Sequence, residues 1–147
     1  MSARGSSKDS LADANEVAYI SYQIEEVEGL VSLIVGVGEY ESVGSDVINY
    51  MLEAAMGRID CILRQVNDAL LGLAKERIKV RSWLSQANAI LVALRCLNNN
   101  GESIAEDSPS YALSLAGGLL RDCHKAVNDL PLRDNGWQDN LLKMEVH

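Results

Sequence analysis

The side chains best suited to catalysis are the histidines and cysteines, but their spacing in the sequence does not predict a catalytic site. His124 and His147 are the only histidines in the chain. Asp122, Cys123 and His124 are consecutive, and consecutive side chains on a helix point in different directions, so they do not form a preassembled nucleophile and base. No nucleophile-elbow, zinc-protease, P-loop or dinucleotide-binding motif occurs. We therefore expect a protein that is not an enzyme.

The cysteines predict neither a metal site nor a disulfide framework. Cys61, Cys96 and Cys123 are an odd number and contain no CxxC spacing. Cys123 and His124 lack further ligands at a spacing that suits zinc, and no Glu-x-x-His pair is present to complete a di-iron bundle site. We expect three buried thiols in a reducing cytosol, and we expect no metal and no cofactor.

The acidic residues are concentrated in the first half of the chain. Residues 1–74 contain 4 Lys or Arg and 12 Asp or Glu, whereas residues 75–147 contain 9 of each, which accounts for the net charge of -8. The densest patch is Glu25, Glu26 and Glu28, and Glu41 lies in a second acidic segment. A solvated helix face explains these carboxylates most simply, and a one-sided protein partner is the functional alternative. A pI near 4.7 disfavours direct binding of nucleic acid.

The chain resembles itself when it is shifted by 61 positions. Residues 41–46 then fall on 102–107 and residues 66–68 on 127–129, and isolated identities on the same register include Val31 with Val92 and Gly57 with Gly118. We interpret this as a duplication, with repeat 1 at about 12–73 and repeat 2 at about 74–134. Both lie in a single helical domain, 10–147. Residues 1–9 are expected to form a disordered N-terminal arm, and the tail 135–147 can dock as a short fifth helix.

Apolar residues recur at alternating spacings of three and four, which predicts four amphipathic helices. The first is expected to begin near residues 9–10 and to end around 36–38, and the second to be capped by Ser45 or Asp46. A break is expected between Gly72 and Ile78. The third helix should stop at 98–101, and the fourth should start after 107–109 and end near Pro131. The predicted apolar faces are Val17, Ile20, Ile24, Val27, Val31 and Ile34; Ile48, Leu52, Ala55, Ile59, Ile62, Val66 and Leu73; Val80, Trp83 or Leu84, Ala87, Ile90, Leu91, Leu94 and Leu97; and Tyr111, Leu113, Leu115, Leu119, Leu120 and Val127.

These elements predict an all-α fold, a four-helix bundle built from two tandem helical hairpins related by a pseudo-twofold axis. The intrahelical glycines Gly57 and Gly118, close to Ala55 and Ala116, predict tight helix crossings at equivalent places. The basic run at 75–81 is expected to face the acidic start of the first helix or to bind an external anion. No stretch approaches the roughly 20 apolar residues of a membrane span, so we expect a cytoplasmic protein that does not bind membranes.

The first functional hypothesis is a small cytosolic interaction module, of bacterial or phage type, that binds a protein partner or forms a homodimer. Tyr19 and Tyr22 are expected to remain exposed and, with the glutamates, to contact that partner. The alternative is an acidic inhibitor that imitates nucleic-acid charge through Glu25, Glu26 and Glu28, of a mobile-element type such as an anti-CRISPR. An enzyme would require a pocket that holds His124 with carboxylates or a ligand.

Overall fold

The computed structural model describes residues 11–40, 44–101 and 107–133, and within these ranges the chain forms four long α-helices. They are α1 (Ala14–Tyr40), α2 (Ser45–Ala69), α3 (Ala74–Asn99) and α4 (Asp107–Asn128). Each helix packs against the helices before and after it in the chain, α4 also packs against α1, and the backbones of the diagonal pairs do not approach each other closely. The predicted all-α four-helix bundle is confirmed. None of the helices in the described ranges has the length and apolar content needed to cross a lipid bilayer.

The core contains the apolar stripes that the spacing predicts for α1 and α2, without exception. On α3 the buried stripe includes Asn98, while Leu97 is exposed. On α4 the prediction is wrong at two positions, because Tyr111 and Leu115 are 77% and 60% exposed. These two residues are not at the positions, spaced by three and four, whose side chains point into the core. The buried residues of α4 include Pro109, Leu113, Ala116, Leu120, Cys123 and Val127.

Helices α1 and α2 begin differently from the predictions. Asp13 caps α1, since its Oδ1 accepts hydrogen bonds from the backbone N–H groups of Asn15 (2.9 Å) and Glu16 (3.1 Å). The helix therefore starts about four residues later than expected and continues past residue 38. At α2 neither Ser45 nor Asp46 is the cap; the N-cap is Gly44, which makes no side-chain hydrogen bond. Asp46 lies in the first turn, where its charge suits the positive end of the helix dipole.

The predicted break between α2 and α3 is present, although it begins slightly earlier than expected. Residues 70–73 form a turn in which Leu70 and Leu73 are buried, so the turn is anchored to the core. The guanidinium of Arg77 donates to the carbonyl oxygen of Leu71 at 2.9 Å. The α3 terminus also follows the prediction, because Gly101 has a φ of 81°, a conformation that glycine adopts without strain.

The two ends of the described bundle are joined by backbone hydrogen bonds. The N–H of Ala12 donates to the carbonyl oxygen of Pro131 at 2.9 Å, and the N–H of Arg133 donates to the carbonyl oxygen of Ala12 at 2.7 Å. Ala12 is completely buried. These bonds hold the start of α1 beside the end of α4. The acidic start of α1 does not face the basic start of α3 as predicted, because α1 and α3 are diagonal to each other.

Burial patterns refine the predicted repeat. Helices α2 and α4 match at the offset of 61, where Leu52 and Leu113 are both buried. Helices α1 and α3 match at an offset of 60, where buried Val31 corresponds to buried Leu91, whereas the identical residue Val92 is 40% exposed. The duplication itself stays a prediction. If it occurred, the second hairpin has one more residue than the first between the buried stripes of its two helices.

The predicted tight crossings at Gly57 and Gly118 are not observed. A Cβ atom placed on either glycine would meet nothing within 4 Å, although Ala55 and Ala116 are fully buried. The small residues that face the core are therefore the alanines. The glycines have no packing role, and they weaken their helices relative to alanine.

We expect Gly57→Ala and Gly118→Ala each to raise the free energy of unfolding by about 1 kcal/mol, because alanine favours the helix and its methyl group meets no neighbour. Urea denaturation followed by circular dichroism measures the change. Gly101→Ala is the control and should lower stability, since its backbone is left-handed. A loss of stability in either helix variant would restore the close-crossing interpretation.

Two of the three cysteines are exposed, contrary to the prediction that all three are buried. Cys61 and Cys96 lie on the outer surface, and Cys123 lies in the core. Burial, with a smaller contribution from the nearby charge of Glu28, raises the pKa of the Cys123 thiol from 9.0 to about 12. Cys123 therefore remains a neutral thiol at physiological pH.

Under native conditions at pH 8, we expect iodoacetamide to modify Cys61 and Cys96 and to leave Cys123 unmodified, because alkylation requires an accessible thiolate. Intact-mass spectrometry should show two adducts in buffer and three in concentrated urea. Rapid native alkylation of Cys123, located by peptide mapping, would contradict the buried position.

Candidate functional site

The predicted contact residues Tyr19 and Tyr22 are exposed on α1, at 56% and 60% of their surface. They are three residues apart and are therefore neighbours on one face of the helix. Leu33 lies three helical turns beyond Tyr22 on the same face and is 56% exposed. Large apolar side chains in a row on the outside of a bundle are typical of an interaction surface.

The predicted glutamates do not form a single patch, because successive residues on a helix are rotated by about 100°. Glu25 is exposed to solvent. Glu26 turns toward α2, where its Oε2 lies 3.6 Å from Nη2 of Arg58. Glu28 turns the other way, toward α4. Glu41, and with it the repeated acidic segment at 41–43 and 102–106, lies outside the described residues, as do the N-terminal arm and the tail.

Two clefts lie between α1 and α2. We call the first the acidic cleft; it has a volume of about 270 Å³ and is lined by Glu16, Tyr19, Ile20, Gln65, Asp68 and Ala69. We call the second the apolar cleft; it has a volume of about 400 Å³ and is lined by Glu26, Gly29, Leu30, Leu33, Ala54 and Arg58. The α1 residues of the two clefts are centred about 11 positions apart, which is about 17 Å along a helix.

A buried amide pair supports the acidic cleft. Gln23 is only 1% exposed, and its Nε2 donates to Oε1 of Gln65 at 2.6 Å and to the carbonyl oxygen of Tyr19 at 3.5 Å. Gln65 lines the cleft, so this bond connects the cleft wall on α2 to the interior of α1. Buried amides that are hydrogen-bonded in this way hold neighbouring helices in one register. The shape of the cleft is therefore set by the packing of the bundle.

A polar network that the sequence analysis missed joins α1 to α4. His124 Nδ1 lies 2.9 Å from Oε1 of Glu28, and His124 Nε2 lies 2.9 Å from Oγ of Ser21. The Ser21 hydroxyl also donates to Oδ1 of Asn128 at 2.7 Å. Ser21 and His124 are 103 positions apart, so no local pattern signals the contact.

The order serine, histidine, carboxylate is that of a nucleophilic triad, but the hydrogen bonds of this network differ from those of a triad. Ser21 donates its single proton to Asn128, and Glu28 Oε1 has no well-aligned hydrogen-bond donor among the described residues despite its 2.9 Å contact with His124. Ser21 lies inside α1, where the backbone N–H groups are used in helical hydrogen bonds and do not form an oxyanion hole. Both clefts between α1 and α2 are on a different side of α1. We therefore interpret the network as a cross-link between α1 and α4.

Comparison of the chain with protein-family models, with curated proteins and with solved structures finds no match. Among the described residues, no three His, Cys, Asp or Glu side chains are placed to hold a metal ion. The candidate site is therefore defined by its own geometry, and the seam between α1 and α2 combines two clefts with exposed apolar residues.

If Glu28 and His124 act as a cross-link, their contributions to stability are coupled. We expect the double variant Glu28→Ala/His124→Ala to lose less stability than the two single variants added together, with a coupling energy of about 0.5–1 kcal/mol, because both side chains are about three-quarters buried. The matched control is Glu26 with Arg58, a longer and more exposed pair for which we expect a few tenths of a kcal/mol. Urea denaturation of each set measures both couplings. Additive losses for Glu28 and His124 would show that they act independently.

Proposed function

We propose that this protein is a non-enzymatic cytoplasmic interaction module that binds a helix of a protein partner along the seam between α1 and α2. The observation that carries the proposal is the row of exposed apolar side chains, Tyr19, Tyr22 and Leu33, beside two clefts. Amphipathic helices bind such grooves by inserting side chains at helical spacing into the available depressions.

A helix suits this surface better than an extended segment does. An extended segment that binds as an added strand needs backbone hydrogen bonds to a sheet edge, and on the α1–α2 seam the backbone groups are already used within the two helices. Recognition there must come from side-chain packing. The separation of the two clefts, about 17 Å, is close to three turns of a helix, so a single partner helix can reach both.

The cytoplasmic part of the proposal is supported by the cysteines. Cys61 and Cys96 are free and exposed, and exposed thiols persist in a reducing compartment. The alternative of an acidic nucleic-acid mimic stays a hypothesis. It has less support, since Glu26 is held by Arg58 and Glu28 by His124, and of the three only Glu25 has no ionic partner among the described residues.

Filling the apolar cleft tests the proposal. A Cβ at Gly29 meets nothing within 4 Å, so Gly29→Leu should fold and should place its side chain in the cleft. We expect the variant to lose a partner that wild type captures from the native host, and to bind the purified partner roughly tenfold more weakly or worse, as for a lost hot spot. Calorimetry on the purified pair measures this affinity.

The matched control is Gly118→Leu, which adds the same side chain at another open helical glycine, on α4 and away from the seam. It should bind as wild type does. Light scattering of the purified wild-type chain and of purified Gly29→Leu tests self-association. A wild-type dimer and a Gly29→Leu monomer would identify a second copy of this chain as the partner. Equal binding by wild type and Gly29→Leu would remove the seam as the docking surface.

A further inference from the structure

We infer that the acidic cleft receives a lysine or arginine side chain from the partner helix, an inference that rests on the proposed function. The cleft has a carboxylate on each side, from Glu16 on α1 and Asp68 on α2. None of its lining residues is basic, and among the described residues neither carboxylate forms an ion pair. Within the described part of the chain, the cleft thus has two negative charges and no compensating cation.

The remaining lining residues suit the rest of a long basic side chain. Ile20 and Ala69 provide an apolar wall for the methylene groups, and the cleft is also lined by Tyr19, an aromatic residue of the kind that attracts cations. Lysine and arginine combine an apolar stem with a charged end, which is the combination that this lining presents. The volume of about 270 Å³ falls just below the roughly 300–1,000 Å³ of pockets for drug-sized ligands, so a single side chain is the appropriate occupant.

The cleft also selects against apolar side chains. Covering Glu16 and Asp68 with an apolar group would remove water from two carboxylates without giving them a partner, which is costly. The apolar cleft has the opposite preference, because Glu26 and Arg58 at its edge compensate each other at 3.6 Å. The partner helix is therefore basic at one end and carries an apolar residue about 11 positions away, or about 17 Å.

The experiment uses three small probes of similar length: n-butylammonium, n-butylguanidinium and the neutral 1-pentanol. Each is titrated into the full chain, and amide chemical shifts are followed by two-dimensional NMR. We expect the two cations, but not the alcohol, to shift the amides of Glu16, Tyr19, Asp68 and Ala69, and we expect added salt to weaken the effect. The double variant Glu16→Gln/Asp68→Asn, at two exposed positions, should weaken the cation affinity at least roughly fivefold.

The matched control is Glu53→Gln/Asp60→Asn, which removes two exposed α2 carboxylates that do not line the cleft and should leave the titration unchanged. Equal shifts with 1-pentanol, no shift with any probe, or undiminished binding by the Glu16/Asp68 variant would each overturn the cation site. These results do not depend on the partner. Failure of Gly29→Leu to affect partner binding would overturn the proposed function, whereas a negative cation titration would overturn only this inference.

Discussion

The structure depends on the burial of four apolar stripes in one shared core. Each stripe belongs to a helix of 22 to 27 residues, and no helix or hairpin can cover its own stripe. Because the helices form a closed ring of neighbours, each of them is covered on two sides, and α1 is covered partly by α4 from the far end of the chain. The hydrogen bonds between Ala12 and residues 131 and 133 hold that last contact in place.

Polar contacts at the edges of this core determine how the helices are aligned. Gln23 is bonded to Gln65 between α1 and α2, and Asn98 donates to the carbonyl oxygen of Ser45 between α3 and α2. Both side chains are almost fully buried. If the two helices of either pair slid past each other, a buried hydrogen bond would break. Leaving its polar groups unsatisfied costs more free energy than forming the bond contributes. The hydrogen bond between Gln23 and Gln65 therefore fixes the alignment of α1 and α2, whose seam contains the clefts.

Helix α1 has separate roles on its two sides. Toward α4 it supplies Ser21 and Glu28 to a cross-link, and toward α2 it supplies Glu16 and Tyr19 to the acidic cleft. Glu26 and Glu28 point to opposite sides, because successive residues of a helix are rotated about its axis. The excess of acids in the first half of the chain is thus partly structural, and the carboxylates available to a partner are those that the cross-links leave free.

The sequence alone is enough to predict the helices and most of their buried faces, because the three-and-four spacing reflects the local geometry of one helix and needs no knowledge of the neighbours. It also determined the break before α3 and the stop at Gly101, which depend on local backbone preferences. The packing of the bundle sets which helices are neighbours, and hence that Ser21 meets His124 and that Glu16 and Asp68 share a cleft. Those contacts join residues about 50 to 100 positions apart, and side-chain spacing along one helix contains no information about the rotation and register of another.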